Sequence, residues 1–278
     1  MLKKIAAKYQ KILAVTQPFL LTFKGNLKQY DLKPFGLKIP KENILSCIDP
    51  HNALFYDLLQ KLDSLSFGPK GMPMDKWVFF DCSEMPGGVF GFAYKAEDLS
   101  EEVLQLYGVN RSYKGLIPVS QYIAIPMAAP GAWFGHNLCT TNAVLGEKHA
   151  LPGLSLLTKA FGLKVYNIKT LYGATQWDSD ALNIHLQLSD MEIMSAYTPA
   201  HSFPFTMCYR SKYSDKSLLS ALAGESRTAP KHDLLIQGKD EAAILNLQKR
   251  IEKGEKFKIP GRPVYKDKII YVPLKKIK

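Results

Sequence analysis

The chain has 278 residues, of which 46% are hydrophobic and 22% charged, and its formal net charge is +11. This length and composition suit one large domain or two small ones with a substantial core. The four cysteines are far apart and form no CxxC pair. A zinc ribbon, a thioredoxin-like motif and a disulfide scaffold are therefore not expected, and a reduced, cytoplasmic protein is the default.

The positive charge belongs to the two ends of the chain. Residues 1–42 carry +7 and residues 249–278 carry +8, whereas the residues between them carry −4. The basic segments contain no recognisable nucleic-acid-reading module, so nucleic-acid binding ranks low. Peripheral contact of these ends with an anionic membrane is an alternative that the charge permits.

The N-terminal segment predicts a short basic amphipathic helix. Within residues 2–15, apolar side chains recur at helical spacing with lysines between them. Such a helix either docks on the protein or lies on an anionic membrane surface. Lys8, Gln10 and Lys11 interrupt the apolar region that a signal peptide needs, and no segment is long and apolar enough for a membrane span.

Further along, the pattern predicts helices alternating irregularly with strands. Helices are expected at 51–63, 100–108, 153–162, 215–223 and 239–253, and strands at 76–96 (two, around a turn at 85–88), 116–126, 132–134, 164–176, 203–210 and near the C-terminus. Because this order is not a regular βαβ alternation, we predict an α+β fold. Its curved, mostly antiparallel sheet would be barrel- or cone-like, enclose a small apolar cavity and carry flanking helices.

The clearest hairpin signal lies between residues 182 and 198. Four apolar residues, at 182, 184, 186 and 188, alternate with polar ones before a Ser189–Asp190 turn. Strict alternation of this kind is typical of an antiparallel strand with one covered face.

Three segments follow from composition and charge. We expect a basic N-terminal helix and arm at 1–45, a single α+β core domain at 46–235, and a C-terminal helix with a basic tail at 236–278.

The stretch 115–146 contains no charged side chain over 32 residues. Its three prolines and its internal glycines break any helix, which favours a buried segment over a membrane span. The stretch ends in uncharged polar groups that include His136, Asn137 and Cys139. Such a cluster is either a hydrogen-bonded turn or the wall of a small-molecule pocket.

Three side chains in and after this stretch are candidates for chemistry. Lys159 has apolar neighbours that could desolvate its ammonium, lower its pKa and free the amine for Schiff-base formation; the alternative is a solvated tip. His136 either catalyses or makes a structural hydrogen bond. Cys139 either forms a nucleophile pair with a nearby histidine or is a buried, inert thiol. A zinc site from His136, His149 and His201 is a further alternative.

Five stretches between residues 90 and 200 have a distinctive order: FAYKAEDLSEEVLQLYGV, GLIPVSQYIAIPM, GHNL, the lysine-bearing 153–164 and WDSDALNIHLQLSDMEIMSA. This order resembles the acetoacetate decarboxylase-like family, in which an Asp-Ser-Asp-bearing hairpin closes the pocket. The chain departs from that family in having no adjacent lysines. Ser120 and Gln121 stand where the family has a pocket glutamate, and His136 and Asn137 replace an Arg-Glu pair.

The resemblance implies a lyase-like enzyme acting on a small keto acid or related carbonyl compound. Lys159 and His136 would be catalytic, Asn137, Gln121, His185 and Cys139 would contact the substrate, and no metal or organic cofactor is implied. The alternative is a non-catalytic binder of an acyl or other apolar molecule, held at an anionic membrane by its basic ends. A homo-oligomer is compatible with either.

Overall fold

The computed structural model describes residues 5–84, 86–142, 144–225, 227 and 231–278, without the side chain of Glu147. The chain divides into two compact units. Unit 1 comprises Met1–Pro130 and Gly135–Ile168, and unit 2 comprises Gly131–Phe134 and Lys169–Lys278. The expected organisation into segments 1–45, 46–235 and 236–278 stays a prediction.

Unit 1 contains a five-stranded sheet with helices around it. The helices are α1 (Ala7–Val15), α2 (Ala53–Phe67), α3 (Lys76–Glu84), α4 (Glu101–Leu106), α5 (Gly146–His149) and α6 (Leu154–Val165), and the strands are β1 (Gln17–Leu21), β2 (Ile44–Leu45), β3 (Gly88–Lys95), β4 (Leu116–Pro126) and β5 (Ala132–Thr140). Residues 132–134 of β5 are counted with unit 2, and the rest of the strand belongs to unit 1. The strand order is β2-β1-β3-β4-β5. β1 and β2 are parallel, whereas β3 is antiparallel to both β1 and β4.

Strand β4 is covered on both faces. On one face, Thr158 of α6 donates a hydrogen bond to Ser120 (2.7 Å), and Gly162 of α6 lies against the Tyr122 ring. Because side chains alternate along a strand, Gln121 points to the other face, towards α2. Double coverage explains why this charge-free segment is a buried strand.

Helix α1 docks by its apolar face. Ile5, Tyr9 and Ile12 are buried, and the Tyr9 ring lies next to Gly153 at the start of α6. The apolar stripe of this helix is therefore used within unit 1. Residues 2–4 of the expected helix lie outside the described residues. In the part of the chain that is described, every helix is too short or too polar to cross a bilayer.

Unit 2 contains an antiparallel sheet. Its strands are β6 (Thr170–Gln176), β7 (Met191–Ser195), β8 (Thr206–Lys212), β9 (Leu234–Gln237), β10 (Lys256–Ile259), β11 (Val264–Lys266) and β12 (Ile269–Ile277), and its helices are α7 (Ala181–Leu188), α8 (Asp215–Leu222) and α9 (Glu241–Glu252). The order is β6-β8-β7-β10-β12-β11, and β9 also pairs with β12. Trp177, Leu186, Met207, Ile244 and Phe257 form part of its core.

The prediction of an α+β fold with mostly antiparallel strands is confirmed. The predicted barrel- or cone-like closure of the sheet is not confirmed. Within each unit the strand order is open, and among the described residues no pairing closes either unit's strands into a barrel.

Two local predictions are wrong. Residues 76–84, expected as a strand because of the Trp-Val-Phe-Phe run, form helix α3, with Phe79, Cys82 and Ser83 buried at helical spacing. Residues 181–188 form helix α7 instead of the first strand of a hairpin. Their alternating leucines also satisfy a helix, since Leu182, His185 and Leu186 share one buried face.

The contact between α6 and β4 leads to a prediction about stability. A glycine-to-alanine change inside a helix normally gains up to ~1 kcal/mol. At Gly162, however, the new Cβ would overlap with the Tyr122 ring. We expect Gly162→Ala to destabilise the protein by about 1–3 kcal/mol in urea denaturation because of overpacking.

Gly68 provides the matched control for this substitution. Its backbone is helical (φ −52°, ψ −46°), and no heavy atom lies within 4 Å of a Cβ at this position. Because Pro69 follows and disfavours helical angles at a residue that carries a Cβ, Gly68→Ala should be close to neutral and cost less than ~1 kcal/mol. Equal effects of the two substitutions would contradict the close contact between α6 and β4.

Candidate functional site

A polar cluster lies on the α2 side of the sheet in unit 1. It consists of Asp63 and Ser66 from α2, Gln121 from β4, and Asn137 and Cys139 from β5. The three-residue spacing on the helix and the two-residue spacing on the strand place each pair on one face. The helix is fixed to the strand because the Ser66 hydroxyl donates to the carbonyl oxygen of residue 140 (3.0 Å).

Asp63 is the only carboxylate of this cluster and is fully buried. Its Oδ1 accepts a hydrogen bond from Asn137 Nδ2 (2.9 Å), and its Oδ2 accepts one from the backbone N–H of Met74 (2.7 Å). Burial raises the pKa of Asp63, and these two hydrogen bonds counteract the shift only in part. The side chain is therefore a proton-binding group in a water-poor environment.

Two amides of the cluster have unused hydrogen-bonding atoms. Both polar atoms of the Gln121 side chain, and Oδ1 of Asn137, are buried and have no hydrogen-bond partner among the described residues. Each such atom costs about 1–3 kcal/mol when it is left unsatisfied. A water molecule or a polar ligand atom is the usual partner of such groups.

The Cys139 thiol is held in its protonated form. Burial and, to a smaller extent, the nearby Asp63 carboxyl raise the pKa of Cys139, whereas Ser66 and Gln121 act in the opposite direction. Gln121 lies beside this thiol without meeting the geometry of a hydrogen bond. A protonated thiol is a poor nucleophile, so Cys139 can contact a ligand but is not set up to attack one.

Lys159 lies on the opposite side of the sheet from the polar cluster. It belongs to α6, which packs on the face of β4 that carries Ser120 and Tyr122. The residue is 1% exposed, and desolvation lowers its pKa to about 7. Burial thus has the expected effect on the pKa of the amine, but the amine does not share a site with Asn137 and Gln121.

The two remaining predicted site residues are also outside the cluster. His136 is exposed on β5, where strand alternation directs it away from the face that carries Asn137. His185 belongs to unit 2, where it is buried against the Tyr209 ring (centroid distance 5.5 Å). In the described part of the chain, no group of three or more His, Cys, Asp or Glu side chains is arranged to hold a metal.

An open groove in unit 1 was missed by the sequence patterns. We call it the aromatic groove; its volume is about 870 Å³, and its lining includes Cys47, Ile48, Asp49, Tyr56, Asp75, Lys76, Trp77 and Phe80. Trp77 is 62% exposed and Ile48 59% exposed. The sequence signal for this groove is the aromatic run of α3 next to two aspartates. Because that run was predicted to be a strand, the groove was not recognised.

The charges of the aromatic groove are unbalanced. The Lys76 ammonium forms an ion pair with Asp57. Asp49 Oδ1 accepts only a backbone hydrogen bond, from the N–H of His51 (3.0 Å), and neither Asp49 nor Asp75 forms an ion pair with a described residue. The Tyr56 hydroxyl is bonded to Ser83 Oγ (3.0 Å), which fixes the ring in the groove wall. The result is an apolar floor beside two uncompensated carboxylates.

Comparison with known proteins defines no family for this chain. No protein-family model and no curated protein matches it. One solved structure that matches is described as an N-acetyltransferase from Lactobacillus plantarum, with 8% sequence identity and a TM-score of 0.37. Another is described as an acyl-CoA N-acyltransferase from Klebsiella pneumoniae subsp. pneumoniae, with 13% identity and a TM-score of 0.32. Each match covers 60% of this chain and 94% of the other.

The predicted relationship to acetoacetate decarboxylases, and with it the lyase function, is wrong. No family model supports the resemblance, and the two solved structures named above are described as N-acyltransferases. The structure gives a physical reason: residues 181–188, the first strand of the hairpin that should close the decarboxylase pocket, form a helix. The non-catalytic membrane-bound binder gains no support from these comparisons.

Asp63 should make stability depend on pH. Because its pKa is higher in the folded chain than in the unfolded chain, the folded chain binds more protons between the two values. Stability should therefore fall as pH rises through that interval. In Asp63→Asn this slope should disappear, and flipping of the Asn137 amide would let its Oδ1 accept from the new side chain.

The measurement is urea denaturation between pH 4 and 7. Asp63→Ala leaves the Met74 N–H and the Asn137 amide unpaired, so it should cost about 1–3 kcal/mol. Asp81→Asn, at an exposed position on α3, serves as control and should keep the wild-type slope. A slope that persists in Asp63→Asn would refute the assignment.

Lys159 should have the opposite effect at higher pH. Its folded pKa of about 7 lies below the unfolded value of 10.5, so the unfolded chain binds more protons in between. Stability should therefore rise between pH 7 and 9, at up to ~1.4 kcal/mol per pH unit. Lys159→Met should remove this rise, whereas Lys164→Met on the same helix should retain it. A parallel pH dependence of wild type and Lys159→Met would show that the amine is not desolvated.

Proposed function

We propose that unit 1 recognises a small organic amine, and that the aromatic groove binds it. The observation that carries this proposal is the exposed Trp77 ring next to the unpaired carboxylates of Asp49 and Asp75. An ammonium group attached to an apolar body matches both features at once.

The aromatic wall supports the apolar part of such a ligand. Three large side chains that line the groove, Ile48, Trp77 and Phe80, are all exposed. Contiguous exposed apolar surface of this kind often marks a binding site. A cation over an aromatic face contributes about 0.5–2 kcal/mol, and tryptophan is the strongest partner.

The charge pattern of the groove supports a positively charged ligand. Since Lys76 is already paired with Asp57, it does not neutralise Asp49 or Asp75. A cationic ligand would gain two carboxylate partners, whereas an anion would meet a net negative rim. The groove therefore favours amines over acids of the same shape.

The groove also permits a reaction that can be tested directly. If the neutral form of the amine attacks a thioester carbonyl carbon, an N–C bond forms and the C–S bond breaks. The proton that the nitrogen loses goes to the departing sulfur, which leaves as the thiol. Incubation with acetyl-coenzyme A and an amine, followed by mass spectrometry, would detect the amide product.

We also propose that the polar cluster contacts a small molecule, without a catalytic role. The buried, unpartnered atoms of Gln121 and Asn137 support contact with a polar group of a small molecule. Contact of the basic ends with an anionic membrane and formation of a homo-oligomer stay predictions.

Tryptophan quenching tests amine binding. Trp133 and Trp177 are buried (8% and 0% exposed), so acrylamide quenching reports mainly on Trp77. We expect 2-phenylethylamine to protect Trp77 saturably. The neutral 2-phenylethanol should bind roughly tenfold more weakly, a loss of about 1.4 kcal/mol, and 3-phenylpropanoate should not bind.

Variants identify the groups responsible. Trp77→Ala, followed by calorimetry, should abolish binding, and combined Asp49→Asn and Asp75→Asn should weaken it roughly tenfold or more. Asp81→Asn provides a control at an exposed α3 position outside the groove lining. Equal affinity for the amine and the alcohol, or amine binding that survives Trp77→Ala, would refute the proposal.

A further inference from the structure

A second cavity of unit 1, which we call the basic cavity, has a different chemical character. Its volume is about 510 Å³, and it lies where the end of α1, the start of β1, the end of β3 and α5 meet. The side chains that decide its chemistry are Gln17, Lys95, Asp98, Lys148 and His149.

His149 is the residue that points to a ligand. The residue is 7% exposed, and its Nε2 is buried without a hydrogen-bond partner among the described residues. The imidazole lies edge-to-face against Tyr94 (centroid distance 6.0 Å), which restricts its rotation. A buried nitrogen of this kind is costly unless water or a ligand atom occupies the adjacent space.

The imidazole is electrically neutral in this environment. Burial, reinforced by the positive charge of Lys148, lowers the pKa of His149. A neutral imidazole carries one N–H, and Nε2 can carry it because nothing described here donates to that atom. His149 lines the cavity, so its ring can offer a hydrogen-bond donor there without adding a charge.

Donors outnumber acceptors around the basic cavity. Lys95 and Lys148 supply two ammonium groups; the contact of Lys95 with Glu97, at 3.8 Å, is long and exposed. Gln17 Oε1 accepts from Asn43 (3.1 Å), so its NH₂ group remains as a donor. Asp98 is the one carboxylate among the described lining residues.

The Thr16 hydroxyl does not add to this donor set. It donates to the backbone carbonyl of Ile12 (2.8 Å) at the end of α1. This bond fixes the α1–β1 turn, which forms part of the cavity wall.

We propose that the basic cavity binds a small oxyanion, a carboxylate or a phosphate, through a hydrogen bond from His149 Nε2 and the charges of Lys95 and Lys148. The Gln17 amide provides a further donor. The basic cavity shares no lining residue with the aromatic groove. The proposal of anion binding can therefore be tested independently of the proposal of amine binding.

Imidazole NMR tests the proposal on the full chain. Long-range ¹H–¹⁵N spectra resolve the ring nitrogens of the six histidines, and His149→Asn assigns the signal. Titration with inorganic phosphate, and separately with acetate, at constant ionic strength should shift the His149 Nε2 signal saturably. The anion that binds more tightly identifies the class of ligand.

Lysine variants keep the test independent of folding effects at His149. Lys95→Gln and Lys148→Gln should each weaken binding about fivefold or more, consistent with the loss of one charge-assisted contact. Lys61→Gln, at an exposed position on α2, should have no effect. Absence of a saturable shift with both anions, or equal binding in the Lys95→Gln, Lys148→Gln and wild-type proteins, would overturn the proposal.

Discussion

Burial of β4 on both faces is the constraint on which the rest of unit 1 depends. Every residue from 117 to 124 is buried. A charged side chain on such a strand would have no route to water, and this explains the charge-free sequence. The same strand separates two environments: Ser120 and Tyr122 contact α6, whereas Gln121 faces α2.

The polar groups on these two faces have different roles. Ser120 accepts hydrogen bonds from Thr158 and from the Phe92 N–H (3.1 Å), so it is satisfied within the fold. Gln121, one residue later, leaves both amide atoms unsatisfied. A fully bonded polar group specifies packing, whereas an unsatisfied one marks the place where water or a ligand completes the structure. Neighbouring positions in the sequence thus differ in whether their hydrogen bonds are satisfied within the fold.

Sequence patterns predicted the strongly periodic elements, such as α2, α6 and β4, because burial and intrinsic preference agree there. They failed at α3 and α7, where aromatic runs and alternating leucines fit both helix and strand. For the site, the proximity of Asn137 and Cys139 follows from their spacing, and the low pKa of Lys159 from its apolar neighbours. The location of Lys159 across the sheet depends on long-range packing that no local pattern contains. The aromatic groove was not predicted, because the helix that lines it, α3, was assigned to a strand.

The docking of α1 has a consequence for biosynthesis. Tyr9 packs next to Gly153, so two parts of the chain separated by roughly 140 positions must meet. Because synthesis runs from the N-terminus to the C-terminus, α1 emerges from the ribosome before α6. Its apolar stripe therefore stays uncovered until α6 has emerged. During that interval the exposed stripe is a substrate for chaperones and a risk for aggregation. Burial of α1 therefore has to follow the synthesis of α6.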